Sequence, residues 1–383
     1  MRIGIITLHR IINPGSALQA YATQKYIQST FDCKCEIIDY VFPNNGYKPK
    51  QSLYKEIRSL VRQLRDLLFR NKLREKSMYE KFYKDYFIMS RRRYYNDEDL
   101  YQNPPSYDLI LTGSDQVWNP KTLYGCPIMY GAFVPNGKKI SYGASFSVSQ
   151  LDEDEYIHSE KLLADYSFIG VRETSSLKIL RTMKLPLSPI VSCTCDPTLL
   201  LAKDEYHIIA ERSVRKVKKD FVFAYFLNYA FNPEPAFSRV LVAIEKKYDY
   251  NIVFKGCDHY QYKGKMKFEQ NYGPSEFLWL IENAKIVITS SFHGLMFSLI
   301  FRKPFIVVCP ENCEKDSRLT DVLRTLNLEN RSLSANSDVN DIEFYFSSPY
   351  SEQTESLLAD YIEESKRFLH MAITTNNIGI NKN

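Results

Sequence analysis

The sequence predicts an α/β protein of two domains, each built on a parallel sheet, and three observations carry that expectation. Residues 285–309, KIVITSSFHGLMFSLIFRKPFIVVC, pass from a β-branched run through a Ser-Ser-Phe-His-Gly turn and an apolar segment to a second β-branched run. That order reads as strand, turn, helix, strand. The N-terminus repeats it: RIGIITL (2–8), a helical stretch 16–29 with Leu18, Tyr21, Ala22 and Tyr26 on one face, and EIIDYV (36–41). Such βαβ units need a parallel pairing of their strands. Finally, 383 residues at 44% hydrophobic are enough for two ordinary cores.

Composition removes several function classes. The net charge of +5 is too mild to demand nucleic acid. Residues 1–8 run straight into His9 and Arg10, so they read as a first strand rather than a signal peptide, and a cytoplasmic location is expected. The longest apolar run, 295–301 with one serine, stops at Arg302 and Lys303, well short of a membrane span. Eight cysteines without an export signal are expected to stay reduced. The pairs Cys33/Cys35 and Cys193/Cys195 lack zinc-knuckle spacing and lie in strand-like stretches, where cysteine acts as a small hydrophobe. Neither a G-x-G-x-x-G fingerprint nor a G-x-x-x-x-G-K-[ST] loop occurs, which disfavours dinucleotide and ATP binding. No cofactor and no metal are expected. Aromatics at 14%, mostly Tyr, suit contact with sugar rings, although a composition bias explains them equally well.

In chain order, the first βαβ unit places Asn13 and Gly15 at the C-terminal edge of the first strand. A helical insert follows over 53–93, with Ile57, Leu60, Val61, Leu64, Leu67 and Leu68 at helical spacing against Arg58, Arg62, Arg65 and Arg70. Between residues 55 and 93 there are 13 Lys or Arg against 5 Asp or Glu, an excess of +8 that leaves the remainder acidic. A basic amphipathic helix of this kind suits either a solvated face or peripheral contact with an anionic bilayer. YDLILT (107–112) returns to the sheet and runs into Gly113-Ser114-Asp115-Gln116-Val117-Trp118-Asn119. Small polar residues after a strand read as a site or as a helix cap with Trp118 as packing. KKISYGASF (138–146), 168–171 and PIVSCTCDP (189–197) supply further strands. Arg172 follows the second of these, able to clamp an anion or pair with Glu173, and Asp196 ends the third.

The charged stretch 203–219 is the candidate linker. The second half has strands at 221–227 and 251–254, with Lys255 and Gly256 at the end of the latter, and helices after Pro235 and over 274–283. Ser317 and Arg318 begin another helix. The expected domains are 1–203 with the insert 53–93, 204–352, a helix 353–371 packing back on the first domain, and a disordered tail 372–383.

The open end of a parallel sheet, where strands run into helix N-termini, is the usual ligand crevice. His293 sits at such a turn. The N–H groups and positive dipole end of the following helix attract anions, and a histidine there can donate a proton beside bound negative charge. A helix cap or a core filler is the plainer role for it.

Six segments resemble the polysaccharide pyruvyl transferase family: Asn13-Pro14-Gly15-Ser16-Ala17-Leu18-Gln19-Ala20-Tyr21-Ala22, Gly113 to Asn119 as above, Ser141-Tyr142-Gly143-Ala144-Ser145-Phe146, Val171-Arg172-Glu173, Asp196-Pro197-Thr198-Leu199, and Ser290-Ser291-Phe292-His293-Gly294. Their order and spacing span nearly the whole chain. The resemblance implies two Rossmann-like domains facing across a cleft, the GT-B-like arrangement, with the acceptor on the first and the donor on the second. It also implies transfer of the pyruvyl group from phosphoenolpyruvate to a sugar, free or lipid-linked, as a cyclic ketal of a cell-surface polysaccharide.

On that reading His293 is the general acid and Asp115 holds or deprotonates the acceptor hydroxyl. Arg172, Arg318 and Lys255 supply cations for a donor carrying phosphate and carboxylate. Ser290, Ser291, Gly294, Asn13, Gly15, Ser114 and Gln116 complete the substrate contacts. Two departures stand out: Pro14 where the family usually has an aromatic, and Ser291-Phe292-His293-Gly294 where some members read Arg-Leu-His-Gly, so another cation must replace that arginine. A nucleotide-sugar glycosyltransferase would share the same two halves. A non-catalytic glycan-assembly scaffold is the third reading, favoured by the basic insert and the missing arginine.

Overall fold

The computed structural model describes residues 1–42, 70–123, 125–134, 137–227, 231–256, 260–268, 272–310, 317–339 and 341–378. The insert from 53 to 69 therefore lies outside the described residues. Two compact units emerge, Met1–Leu200 with Glu363–Asn383, and Leu201–Ile362.

The first unit holds a seven-stranded sheet of β1 (Arg2–Ile6), β2 (Lys34–Tyr40), β3 (Met89–Tyr94), β4 (Leu109–Thr112), β5 (Lys139–Ala144), β6 (Tyr166–Val171) and β7 (Ile190–Cys193). Their spatial order is β3-β2-β1-β4-β5-β6-β7. Every pairing is parallel. Strand order reverses between β1 and β4, the switch point at which Rossmann-like sheets open a crevice at their C-terminal edge. Ile3, Ile5, Ile37, Leu111 and Ile140 are almost wholly buried, as befits strands covered on both faces.

Asn13 caps the first helix, α1 (Pro14–Thr30), by accepting from the Gly15 and Ser16 N–H groups, and Pro14 fills the first helical position, where its missing N–H is no loss. Helix α2 (Arg70–Tyr86) is the described remainder of the basic insert.

The insert's end is not helical: residues 89–94, MSRRRY, form edge strand β3 on β2. Gln24 of α1 grips both backbone polar atoms of Ile88, its Nε2 donating to O (2.6 Å) and its Oε1 accepting from N (3.0 Å), so the chain leaves α2 extended. Three successive arginines suit an edge, where charge deters pairing with another chain.

The second unit holds β8 (Phe221–Tyr225), β9 (Asn251–Lys255), β10 (Met266–Phe268), β11 (Ile286–Thr289), β12 (Phe305–Cys309) and β13 (Ser332–Ser334), ordered β10-β9-β8-β11-β12-β13 and again parallel throughout. Both units are thus Rossmann-like, the pair of domains that makes a GT-B-like chain.

Residues 203–219 are not merely a linker. Lys203–Ala210 is a helix that buries Tyr206, Ile209 and Ala210, with the Tyr206 ring edge-on to Phe297 at 5.0 Å. Three apolar positions over two turns are too few to show as periodicity.

The last helix, Glu352–Ile378, also outruns its expected end, and residues 372–378 are ordered helix. Phe368, Leu369, Ala372, Ile373 and Asn376 continue one buried stripe. Asn376 donates to Ser167 Oγ, and its carbonyl accepts from Lys138 Nζ.

Candidate functional site

At the C-terminal edge of the first sheet, the chain after β4 turns sharply. Asp115 adopts a left-handed φ of 84° and bridges to Ala144, while Gly143 has a φ of 66° that favours glycine and lies close against Ser114, which an added Cβ would meet at 3.2 Å. A non-glycine residue in this region stores roughly 1–2 kcal/mol of backbone strain, which persists only where neighbours over-determine it.

Here they do. Asp115 Oδ1 accepts from Arg172 Nη2 (3.3 Å) and the Gln116 N–H (2.9 Å), and Oδ2 accepts from Ser16 Oγ (2.5 Å) on α1. Arg172 Nη1 lies 3.2 Å from Asp196 Oδ2, which also accepts from Ser114 Oγ at 3.0 Å. Asp196 Oδ1 in turn takes the Thr198 N–H and hydroxyl. The result is one buried network in which a guanidinium holds two carboxylates.

Asn13, Gly15, Ser114, Asp115, Gln116 and Arg172 are all drawn to this edge, but Arg172 is not an open anion clamp. Its side chain is 1% exposed and Asp196 is 0% exposed, whereas Asp115 is 13% exposed. Gln116 faces sideways, accepting from Asn119 Nδ2. Glu173 is buried and accepts from Ser176 Oγ and the Ser147 N–H.

A second charged cluster caps β1 and β2. Arg10 forks onto Asp39 (Nε to Oδ1 2.7 Å, Nη2 to Oδ2 2.8 Å), and Arg93 reaches the same Oδ2 at 2.9 Å. His9 Nε2 lies 3.6 Å from Oδ1, and Arg10 also meets Glu80. Burial alone would push the Asp39 carboxyl up. The His9 ring and the hydrogen bonds from Arg10 and Arg93 outweigh it and hold the group well below the usual carboxylate range.

The second sheet's edge is built differently. β11 ends at Thr289, whose hydroxyl donates to the Tyr225 carbonyl and accepts from the Ser291 N–H. Ser291 then caps the helix Phe292–Ile300 by accepting from the Gly294 N–H at 3.4 Å. Ser290 Oγ accepts from the Leu227 N–H. Gly294 is required by packing: a Cβ would stand 2.4 Å from Thr289 Oγ1.

His293 occupies the first turn of this helix, 7% exposed, with its ring edge-on to Phe292 at 5.5 Å. Lys255 ends β9 in register with Tyr225, itself in register with Thr289, so it lies two strands or about 10 Å away along the same edge. Its Nζ sits 4.8 Å over the Tyr272 ring. Arg318, half-buried, opens the helix Ser317–Thr325 that follows β12, which the parallel topology places at this edge too.

Sequence reasoning quoted Ser16, Asp196 and Thr198 within motifs but gave them no role, and it missed the Asp39 cluster. The Asp-Pro-Thr run closing a strand was the available signal for Asp196. Nothing local announces that Arg10, Asp39 and Arg93 meet.

A family model described as polysaccharide pyruvyl transferase matches residues 13–309, most of the chain and all six motif segments. No curated protein matches the sequence. Among solved structures, UDP-GlcNAc 2-epimerase from Methanocaldococcus jannaschii, in complex with UDP-GlcNAc and UDP, is similar at 14% identity with a TM-score of 0.52, covering 94% of this chain and 99% of that one. The Neisseria meningitidis UDP-GlcNAc 2-epimerase bound to UDP-GlcNAc gives 12%, 0.52, 98% and 100%. The N-terminal domain of Candida albicans trehalose-6-phosphate phosphatase gives 9%, 0.50, 100% and 97%. At such identities the likeness is one of fold.

Proposed function

The chain belongs to the polysaccharide pyruvyl transferase family, and from that premise we propose that it moves the pyruvyl group of phosphoenolpyruvate onto two hydroxyls of a sugar in a cell-surface polysaccharide or its precursor, closing a cyclic ketal. The observation that carries this reading is the turn after β11, where Ser291 caps the helix that bears His293 and Gly294 lets that helix pack tightly on Thr289.

A donor with a phosphate and a carboxylate suits the positive end of that helix, together with Ser290, Ser291, Lys255 and Arg318. His293 gives a proton to the methylene carbon of the enol, which makes the adjacent carbon electrophilic. The first sugar hydroxyl adds to that carbon and yields its proton to Asp115. Asp115 passes that proton to the phosphate, which departs with the C–O bonding pair, and the second hydroxyl closes the ring on the resulting oxocarbenium carbon as its proton returns to His293. The Arg172 role expected from sequence is not carried forward, because its guanidinium is already committed to carboxylates.

His293→Gln should lower phosphate release from phosphoenolpyruvate in the presence of acceptor glycan by about 10²–10⁴-fold, with the melting temperature little changed. A variant that keeps more than roughly a tenth of the rate excludes His293 as the general acid.

A nucleotide-sugar reading is favoured by one observation, that two structures of similar fold hold UDP-GlcNAc. Melting with each ligand separates the two. A saturating true ligand, at about 100 times its Kd, adds about 2.7 kcal/mol of stability, and the wrong one adds nothing.

A further inference from the structure

We propose that Arg172 is a positioning residue that acts through Asp115 rather than a group that binds the donor. The inference rests on the reading above, in which Asp115 receives the acceptor hydroxyl. Three observations carry it.

The first is access. Solvent reaches the Asp115 carboxylate, whose side chain is 13% exposed, while Arg172 behind it is 1% exposed and Asp196 behind that is fully buried. A ligand arriving at this edge meets the carboxylate first.

The second is charge. The Arg172 guanidinium faces two carboxylates, Asp115 and Asp196, so its positive charge is already answered within the network. A guanidinium so paired has little to offer a donor that carries both a phosphate and a carboxylate, whereas the more exposed Asp115 carboxylate can accept from a sugar hydroxyl.

The third is geometry. Asp115 sits at a φ of 84°, and its two oxygens are fixed from different elements, Oδ1 by Arg172 at the end of β6 and Oδ2 by Ser16 at the start of α1. Arg172 is itself anchored by Asp196, which Ser114 and Thr198 hold. The chain of contacts from Thr198 to Asp115 fixes where the exposed carboxylate points. Orientation of this kind is what a group that takes a proton from a hydroxyl requires.

Arg172→Lys keeps the charge but loses the planar fork that spans Asp196 and Asp115. Phosphoenolpyruvate binding would be measured by calorimetry on the full chain, wild type and Arg172→Lys, alongside carboxyl ¹³C spectra of protein labelled at aspartate. The Asp115 resonance is identified by its loss in Asp115→Asn. The proposal expects a Kd for phosphoenolpyruvate within about twofold of wild type and a displaced Asp115 resonance.

A Kd weakened about tenfold or more, or an Asp115 resonance that does not move, overturns it. If wild type itself fails to bind phosphoenolpyruvate, the proposed function falls, while the spectra still decide whether Arg172 orients Asp115. Should Arg172→Lys not fold, Asp196→Asn, which retains the guanidinium and loosens its anchor, is read by the same two measurements and the same two outcomes.

Discussion

The two sheet edges handle charge in opposite ways. At the first, carboxylates and guanidinium groups answer one another: Arg172 lies between Asp115 and Asp196, and Asp39 lies among Arg10, Arg93 and His9. At the second, the described groups are hydroxyls at a helix start, an imidazole, and an ammonium resting on an aromatic ring. Internally compensated charge fixes geometry and offers little to an anion. A helix start with cations near it offers binding. The contrast is between paired charge at one edge and a helix start with a cation near it at the other, and each half of it can be broken experimentally.

The largest effect is expected at Arg172. Arg172→Ala takes the guanidinium away from two carboxylates, one of them fully buried, and removal of one partner from a buried pair typically costs about 3–5 kcal/mol. Lys255→Ala at the second edge removes a cation–π contact on a half-buried side chain, worth about 0.5–1 kcal/mol. Urea unfolding of the two variants measures both. Similar losses would erase the distinction between the edges.

Gly294→Ala probes the second edge by packing rather than charge. The added methyl would enter the space of Thr289 Oγ1, so the helix must move off β11, and overpacking of this kind costs about 1–3 kcal/mol. Because the same shift displaces His293, turnover should fall more than stability does. A variant that loses stability but keeps full turnover would detach His293 from the site.

The second edge was the legible one, because its parts are contiguous: Thr289 to Gly294 form a single run, and their order alone spells strand, cap and helix. The first edge draws Ser16, Ser114, Asp115, Arg172 and Asp196 from four separated segments. Each segment could be recognised, yet no spacing rule says that Arg172 will bond to Asp196, 24 residues on. The parallel strands of β-branched residues were plain for the same local reason. Strand β3 was not, since Arg91, Arg92 and Arg93 fell within the bounds of the basic helical insert 53–93, and only pairing with β2 makes them an edge. The helix Lys203–Ala210 escaped because its burial depends on a partner far along the chain.

A further expected effect is a pH dependence confined to the first edge. Asp39 is held below its ordinary value of 3.8 in the folded protein. A carboxyl depressed by folding contributes stability that is complete above the unfolded value and drains away as pH falls through the folded one. The wild type should therefore lose stability as pH drops below about 4, and Asp39 should account for on the order of 1 kcal/mol or more of that loss. Asp39→Asn keeps an acceptor for Arg10 and Arg93 but cannot titrate. It should start less stable at pH 7 and lose less between pH 7 and 3, so that melting curves of the two proteins converge in acid. An acid limb equally steep in both proteins would show that the Arg10–Asp39–Arg93 cluster does not stabilise the fold, and with it would go the view that the first edge is held by paired charge.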